Sequence, residues 1–248
     1  MRKTLLAAVL VAAAGSANAD DITVVGGFDF GFKKLHLDTG GGSNVFNPGF
    51  NTINPSVALG YKSFYAILSY DTSISAEPGI SDAGSVSADV LDFSRTDSTV
   101  TLGYRINDSF NLFAGYTKVA NHFTETRLAT DGMGNFFFTV TLIDYTETGP
   151  FAGVAYTKRF VDKGNLSLSL GYAKLDGTLK FELHPSGITD EVTGDTTGLS
   201  YGLTWSGTLT GSLGYRVGIK GTQYKMKASD SDITERYTNL FIGITNYF

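Results

Sequence analysis

Hydrophobic residues alternate with small or polar residues along most of the chain. A period of two is the pattern of a β-strand with one apolar face, because successive side chains point to opposite sides of the strand. No segment has the 3.6-residue period of an amphipathic helix, and there is neither a low-complexity linker nor a repeat of fixed length. The pattern therefore predicts an all-β protein.

Two kinds of break separate the alternating segments, and they follow one another strictly in turn. Four breaks are short, and five are longer and polar or glycine-rich. The short breaks are 62–63, 106–108, 161–165 and 206–208, and the long breaks are 38–51, 77–87, 121–135, 183–195 and 227–233. These breaks separate ten strands, an even number that returns both ends of the chain to the same side. Eight strands stay an alternative, in which two strand segments would be loop extensions.

The apolar faces of neighbouring segments agree with the lengths of the short turns. Val57, Leu59 and Tyr61 lead through a two-residue turn to Phe64 and Ala66. The two strands of a hairpin must place their apolar side chains on the same face. In the other three hairpins as well, the turn has the length that places the apolar residues on both sides of it on one face. One continuous apolar face results, while the opposite face carries small and polar residues and charges of both signs.

The first residues have the pattern of a secretory signal peptide. Two basic residues precede an apolar run over 5–14, and an Ala-x-Ala cleavage pattern ends at Ala19. The run is too short for a transmembrane helix, which needs roughly 20 apolar residues. We expect residues 1–19 to be removed and residues 20–248, beginning with Asp20, to form one domain.

Composition narrows the class of protein. The chain of 248 residues has no cysteine, so a disulfide framework and a cysteine-ligated metal site are excluded. The formal net charge is −5 and no run of lysine or arginine occurs, which argues against nucleic acid as a partner. Nothing after residue 19 approaches a membrane helix. A membrane-spanning form would therefore have to be a closed β-barrel, in which every backbone polar group is paired.

The last segment carries a terminal pattern of apolar residues. Leu240, Ile242 and Ile244 occupy alternate positions, and the chain ends on Phe248. This pattern resembles the assembly signal of Gram-negative outer-membrane β-barrels, although Asn246 departs from the usual aromatic or apolar choice. Aromatic residues also flank nearly every short turn, as an interfacial girdle requires. The chain resembles the small outer-membrane β-barrel superfamily, which includes the OmpA-type and OmpX-type barrels.

The resemblance implies a single up-and-down antiparallel transmembrane β-barrel in the bacterial outer membrane, reached through the periplasm. Short periplasmic turns and five longer extracellular loops would join the strands. The implied partners are outer-membrane lipid, lipopolysaccharide and, during biogenesis, the barrel assembly machinery. The resemblance implies no cofactor and identifies no surface partner.

The strand number bears on function because the diameter of a barrel grows with it. A barrel of ten strands is closer in width to the small barrels that side chains fill than to the wide porins. Charges on its inner face therefore either pair across the lumen or line a narrow polar path. Unpaired charges are costly in a low-dielectric interior, and we therefore expect a largely plugged lumen. That expectation favours a structural or surface-interaction role, with a narrow channel for small polar solutes as the alternative. The lumen candidates are Asp29, Lys33, Asp71, Arg105, Arg159, Arg216 and Lys220.

An enzyme at the barrel rim is a weaker alternative. Ten-stranded outer-membrane proteases use paired Asp residues and an Asp–His couple at the extracellular rim. The most similar residue pairs in this chain are His36 with Asp38 and Asp89 with Asp92, but their spacing does not reproduce those motifs. The other histidines stand in no recognisable constellation, and the loop carboxylates do not form a calcium-loop pattern. We therefore predict no catalytic residue, no cofactor and no metal site.

Three adjacent aromatics, Phe136, Phe137 and Phe138, stand on the side expected to be extracellular. All three cannot face lipid in an alternating strand. They either extend a strand whose even-numbered residues meet the outer girdle, or form an exposed apolar patch that binds a partner. We expect the strand extension.

Overall fold

The computed structural model describes residues 22–38, 45–76, 88–130, 136–161, 163–228 and 232–248. The predicted signal peptide and its cleavage site between Ala19 and Asp20 lie outside these ranges, and both stay predictions. No helix in the described ranges is long and apolar enough to span a membrane. The strands are β1 (Ile22–Asp38), β2 (Val45–Phe46), β3 (Gly49–Tyr61), β4 (Phe64–Ala76), β5 (Ala88–Arg105), β6 (Phe110–Thr130), β7 (Phe136–Phe160), β8 (Gly164–His184), β9 (Ile188–Thr210), β10 (Leu213–Lys227) and β11 (Asp232–Tyr247).

Ten of these strands close into an antiparallel up-and-down barrel. Each long strand pairs with the next long strand along the chain, and β11 pairs with β1 from Val25↔Tyr247 to Asp38↔Thr234. The two-residue strand β2 lies outside this ring and pairs with the far end of β1 through Leu37↔Phe46. The prediction of ten strands is confirmed, and the eight-strand alternative is wrong.

The short turns lie at one end of the barrel, as the alternation of breaks predicts. Turns at 62–63, 106–109 and 161–163 lie where the sequence places them. The fourth turn differs, because β9 continues to Thr210 and the turn comes at 211–212 instead of 206–208. Gly207 still pairs with Tyr215, and a register shift between Leu213 and Gly214 absorbs the extra residues.

At the other end, four strands run further than the sequence predicts. Positions 121–130 continue β6, and positions 188–195 belong to β9, so the predicted loops at 121–135 and 183–195 are mostly strand. Strands β6 to β9 are 21 to 25 residues long, whereas β3 and β4 have 13 residues each. Residues 136–138 begin β7, in agreement with the strand-extension interpretation. We call the projecting ends of β6, β7, β8 and β9 the arms.

The outward face of the lower barrel forms a continuous apolar belt. Leu102 on β5 is 62 % exposed and Ile242 on β11 is 63 % exposed, although both belong to long, fully paired strands. Exposed apolar surface on this scale matches lipid rather than water. Aromatic rings gather next to the short turns, where the centroids of Phe160 and Trp205 lie 5.5 Å apart. The belt and this ring of aromatics are the surface of a membrane-spanning barrel.

Above the belt, the apolar side chains change from the outward face of the barrel wall to the inward face. On β8, Leu168 and Leu170 point outward in the belt, whereas Leu175 and Leu179 higher on the same strand point inward and are buried. Outward positions above the belt carry polar groups such as Lys174. The upper barrel is therefore polar outside and apolar inside, as expected for a part of the protein that stands in water.

The terminal pattern lies in the closing strand. Leu240, Ile242 and Ile244 are exposed on the outward face of β11. The Phe248 amide donates to the carbonyl oxygen of Val24 at 3.0 Å. The last residue is therefore fixed to the first strand at the seam, and the role of this segment as an assembly signal stays a prediction.

Candidate functional site: the filled lumen

The predicted lumen residues all lie on inward-facing positions of their strands. Three of them, Asp29, Lys33 and Asp71, are buried. The remaining four stand in the periplasmic half of the lumen, where Arg105 is the last residue of β5 and Arg159 the second-last residue of β7, near the short turns. The other two are Arg216 and Lys220 on β10.

A polar network crosses the lumen at the height where the belt ends, and Lys33 on β1 is one of its two cations. Its ammonium lies 3.0 Å from Asp71 Oδ1 on β4 and donates to Asp97 Oδ2 on β5 at 2.8 Å. The Arg95 guanidinium donates from Nε to the other oxygen of Asp97 at 2.8 Å. One carboxylate, Asp97, thus joins the two cations.

The second half of the network reaches the opposite wall. Arg95 Nη1 donates to Asn121 Oδ1 on β6 at 3.0 Å and to Glu235 Oε1 on β11 at 2.9 Å. Asn121 donates in turn to the other Glu235 oxygen at 3.1 Å. Strands β5 and β11 have three strands between them on one side of the ring and five on the other. The Arg95–Glu235 pair therefore spans almost the full width of the barrel.

The network is shielded from water. Arg95 and Glu235 are each 1 % exposed. The ring of Tyr237 lies beside both cations, with its centroid 4.6 Å from Arg95 Cζ and 5.3 Å from the Lys33 ammonium. The aromatic face adds a cation–π contact to each charge. Glu147 on β7 lies in the same layer, where the Tyr145 hydroxyl donates to its Oε1 at 2.6 Å.

Above the network, apolar side chains fill the extracellular half of the lumen. Four rings form a chain, with centroids 5.1 Å apart for Phe46 and Phe123, 4.8 Å for Phe123 and Phe93, and 4.7 Å for Phe93 and Phe50. Phe46 comes from β2, so this short strand folds its ring in over the lumen. We call the whole cluster the apolar cap. Its buried members are Leu35, Leu37, Phe46, Phe50, Phe93, Phe123, Ile143, Tyr145, Leu179, Met226 and Ile233.

The sequence prediction of the inner face is correct for the lower barrel and wrong for the upper barrel. It describes an inner face of small and polar residues, whereas the upper lumen holds large apolar rings. Arg95 and Asp97 have the parity of the inward-facing Thr99 and Thr101, so the alternation could have found them. Asn121 lies inside the predicted loop at 121–135, so the alternation of strand residues does not identify it as a lumen residue.

Of the rim residues considered for catalysis, the side chain of Asp89 lies outside the described residues, and His36 and Asp92 lie on β1 and β5 with two strands between them. His36 Nδ1 contacts Asn47 Oδ1 at 2.6 Å, and Asp92 is exposed on β5. On the outer face of the arms, His122 Nδ1 contacts Asp144 Oδ1. Within the described ranges, no group of three or more His, Asp or Glu side chains is arranged to hold a metal ion.

Comparison with solved structures places the fold. The chain superimposes on the outer-membrane protease OmpT from Escherichia coli with a TM-score of 0.68 and 11% identity, over 94% of this chain and 98% of that one. The translocator domain of the autotransporter NalP from Neisseria meningitidis gives 0.48, with 10% identity over 99% and 95% of the two chains. Neisserial surface protein A gives 0.39, with 12% identity over 91% and 97%.

No protein-family model matches the sequence, and a sequence comparison with curated proteins finds no match. At such low identity the similarity to OmpT is one of fold alone. Together with the closed ring of ten strands and the apolar belt, this fold defines the class of protein. The chain is a small outer-membrane β-barrel protein of the Gram-negative type.

The network makes a prediction for stability. Replacing Arg95 by alanine leaves Asp97 and Glu235 buried without their shared cation, and breaking a buried pair in this way costs about 3–5 kcal/mol. We expect a lower urea midpoint for Arg95→Ala in lipid vesicles, followed by the fluorescence of the single tryptophan, Trp205. The matched control is Arg159→Ala at the exposed mouth, which should keep the wild-type midpoint. Equal midpoints for the two variants would contradict a stabilising network.

Proposed function

We propose that this outer-membrane barrel has a structural or surface-interaction role, with a largely plugged lumen and no enzymatic activity. The observation that carries the proposal is the double closure of the lumen. The polar network spans the barrel from β5 to β11, and the apolar cap lies directly above it. We propose outer-membrane lipid, lipopolysaccharide and the barrel assembly machinery as its partners, without a cofactor.

The two layers oppose conduction in different ways. In the network, the carboxylates that could replace an ion's water are held by cations of the protein, as Asp71 and Asp97 are by Lys33 and Glu235 is by Arg95. In the cap, Phe50, Phe93 and Phe123 offer no polar atom, so an ion would have to lose its hydration shell without compensation. A narrow channel for small polar solutes would need both layers to move.

Planar-bilayer recording tests the closure. The refolded protein should give no steady conductance steps, because the cap excludes hydrated ions. A folded state is verified by heat-modifiable migration in the same preparation. Reproducible steps whose ion selectivity changes in Arg216→Ser would contradict the plugged lumen and favour the channel.

The arms support a role at the cell surface. Their outer faces stand above the belt and carry exposed pairs of opposite charge, including Lys180 with Glu191 at 3.0 Å and His184 with Glu182 at 2.9 Å. Phe138 on β7 adds a large apolar group that is 65 % exposed. A barrel that needed only to span the membrane would not require strands of this length.

Shortening one arm tests this role. Deleting residues 125–141 and joining Thr124 to Leu142, which pair directly, through Asn-Gly supplies a favoured hairpin turn and removes only the outermost pairs of this arm with β5 and β8. Cells that carry this variant should show several-fold weaker surface adhesion than cells with the intact barrel, because the deletion removes the exposed Phe138. The control places Asn-Gly at residues 62–63, in the opposite turn. Unchanged attachment of correctly folded variants would leave the purely structural role.

One observation favours the enzymatic alternative. His122 and Asp144 are in contact on the outer face of the arms, and both side chains are about half exposed. A carboxylate that orients a histidine is a common part of a general base. Ser94 lies opposite His122 on β5, but among the described residues no hydrogen bond joins a serine or a second carboxylate to this pair.

Hydrolysis assays decide between the two roles. Peptide mixtures and lipopolysaccharide incubated with the refolded barrel should show no turnover beyond that of His122→Ala. Turnover by the wild-type protein that disappears in His122→Ala would contradict the non-enzymatic proposal. Asp176→Asn, another exposed outward substitution, is the matched control for a change of surface charge.

A further inference from the structure

The lower half of the lumen, between the periplasmic turns and the polar network, carries a surplus of positive charge. In the described strands its inward-facing charged residues are Asp29, Arg105, Arg159, Arg216 and Lys220. Four cations therefore share this space with one carboxylate. That carboxylate is already used, because the Arg216 guanidinium donates to Asp29.

Lys220 stands deepest among these cations and borders open space. It faces the barrel interior and is nevertheless exposed. It forms no ion pair with any residue in the described ranges. Two carboxylates act on it electrostatically, Asp29 and Asp71. Both are held by other cations, Asp29 by Arg216 and Asp71 by Lys33. The charge of Lys220 is therefore the local excess.

The wall beside Lys220 leaves room and supplies hydroxyl groups. Ser169, Gly202 and Lys220 form one row across β8, β9 and β10. A Cβ atom on Gly202 would lie 2.7 Å from Ser169 Oγ and 3.6 Å from Lys220 Cγ. The missing side chain thus leaves space between the Ser169 hydroxyl and the aliphatic stem of Lys220, whose ammonium lies 5.1 Å from the centroid of the Phe241 ring. A second serine, Ser56, accepts from Arg216 Nη2 at 3.2 Å. Hydroxyl, guanidinium and ammonium groups are the donors that bind oxyanions.

Arg105 extends the positive surface to the periplasmic mouth. Its Nη2 lies 4.0 Å from the position of a Cβ atom on Gly60 of β3. Because β4 separates β3 from β5, the guanidinium reaches inward across one strand. Arg159, the second-last residue of β7, lies at the same mouth. An anion that approaches from the periplasm therefore meets cations at the entrance and again at depth.

The sign of the charge changes at the network. Asp71, Asp97 and Glu235 meet only two cations there, Lys33 and Arg95. An anion drawn in by the lower cations would be repelled one layer higher, where the lumen is also closed. Such a field retains an anion below the network instead of passing it through the barrel.

We propose that the periplasmic half of the lumen is a blind vestibule that binds small multivalent oxyanions, with Lys220 at its floor and Arg105 at its mouth. The ligand class is a compact solute bearing phosphate or carboxylate groups. The proposal rests on the plugged lumen proposed above, because an open lumen would let the anion pass.

The absence of cysteine from the chain allows a direct test of the potential in the vestibule. Ser169→Cys places a single thiol beside Lys220, and Ser212→Cys places one in the exposed periplasmic turn as a control. Each variant is reacted with an anionic sulfonate methanethiosulfonate and with a cationic trimethylammonium methanethiosulfonate. The anionic-to-cationic rate ratio at Ser169→Cys should exceed that at Ser212→Cys by about tenfold or more, as a focused positive field predicts.

Adding Lys220→Met to Ser169→Cys should bring the rate ratio close to that of the control, and Lys220→Arg should keep it high. Pyrophosphate should slow modification of Ser169→Cys and leave Ser212→Cys unaffected. The same rate ratio in both single-cysteine variants, or no reaction at Ser169→Cys, would overturn the vestibule. So would pyrophosphate protection that survives in Lys220→Met.

Conductance recorded on the same samples separates this proposal from the plugged lumen on which it rests. A barrel that gives no conductance but has equal rate ratios in the two cysteine variants would be consistent with the plugged lumen and would contradict the anion site. Steady anion-selective conductance steps would show that the lumen is open, and would contradict both the plugged lumen and the blind vestibule.

Discussion

Arg95 imposes the strongest constraint on this barrel. A guanidinium that is 1 % exposed needs partners for its charge, and it finds them on β5, β6 and β11. Glu235 lies 140 residues further along the chain, on the strand that closes the ring with β1. Barrel closure and charge compensation are therefore coupled, because a shift of one residue at the seam would turn Glu235 towards the outside and leave Arg95 uncompensated.

The network also lies where two solvents meet. Below it, the outer face contacts lipid, and the inner face can be small and polar because the membrane already solvates the apolar side. Above it, the arms stand in water, and apolar side chains such as Leu175 and Leu179 must turn inward. The exchange is visible within β8, where the apolar positions change from even numbers up to Tyr172 to odd numbers from Leu175. The same strand thus obeys the rules of a membrane barrel and of a water-soluble barrel in succession.

This exchange explains what the sequence could and could not predict. Ten strands, antiparallel neighbours and the belt follow from alternation and from matched hairpin parity, which are local properties. The sequence predicts loops at 121–135 and 183–195, within the arms, because these segments are polar or glycine-rich. A search for a change of parity would have found the arms. The pairing of Arg95 with Glu235 has no local signal, since it depends on the width of the closed ring and on the register of every strand between them.

The layers together limit where the protein can act on other molecules. The apolar cap and the network lie between the extracellular side and the lower lumen, and the arms are the longest projections among the residues that the structure describes. The vestibule faces the other way, and its unpaired Lys220 is separated from the cell surface by both layers. Binding on one side need not disturb the other, because the rigid charge network between them has every cation matched to a carboxylate. A filled barrel of this design can therefore carry two independent surfaces on one membrane-spanning frame.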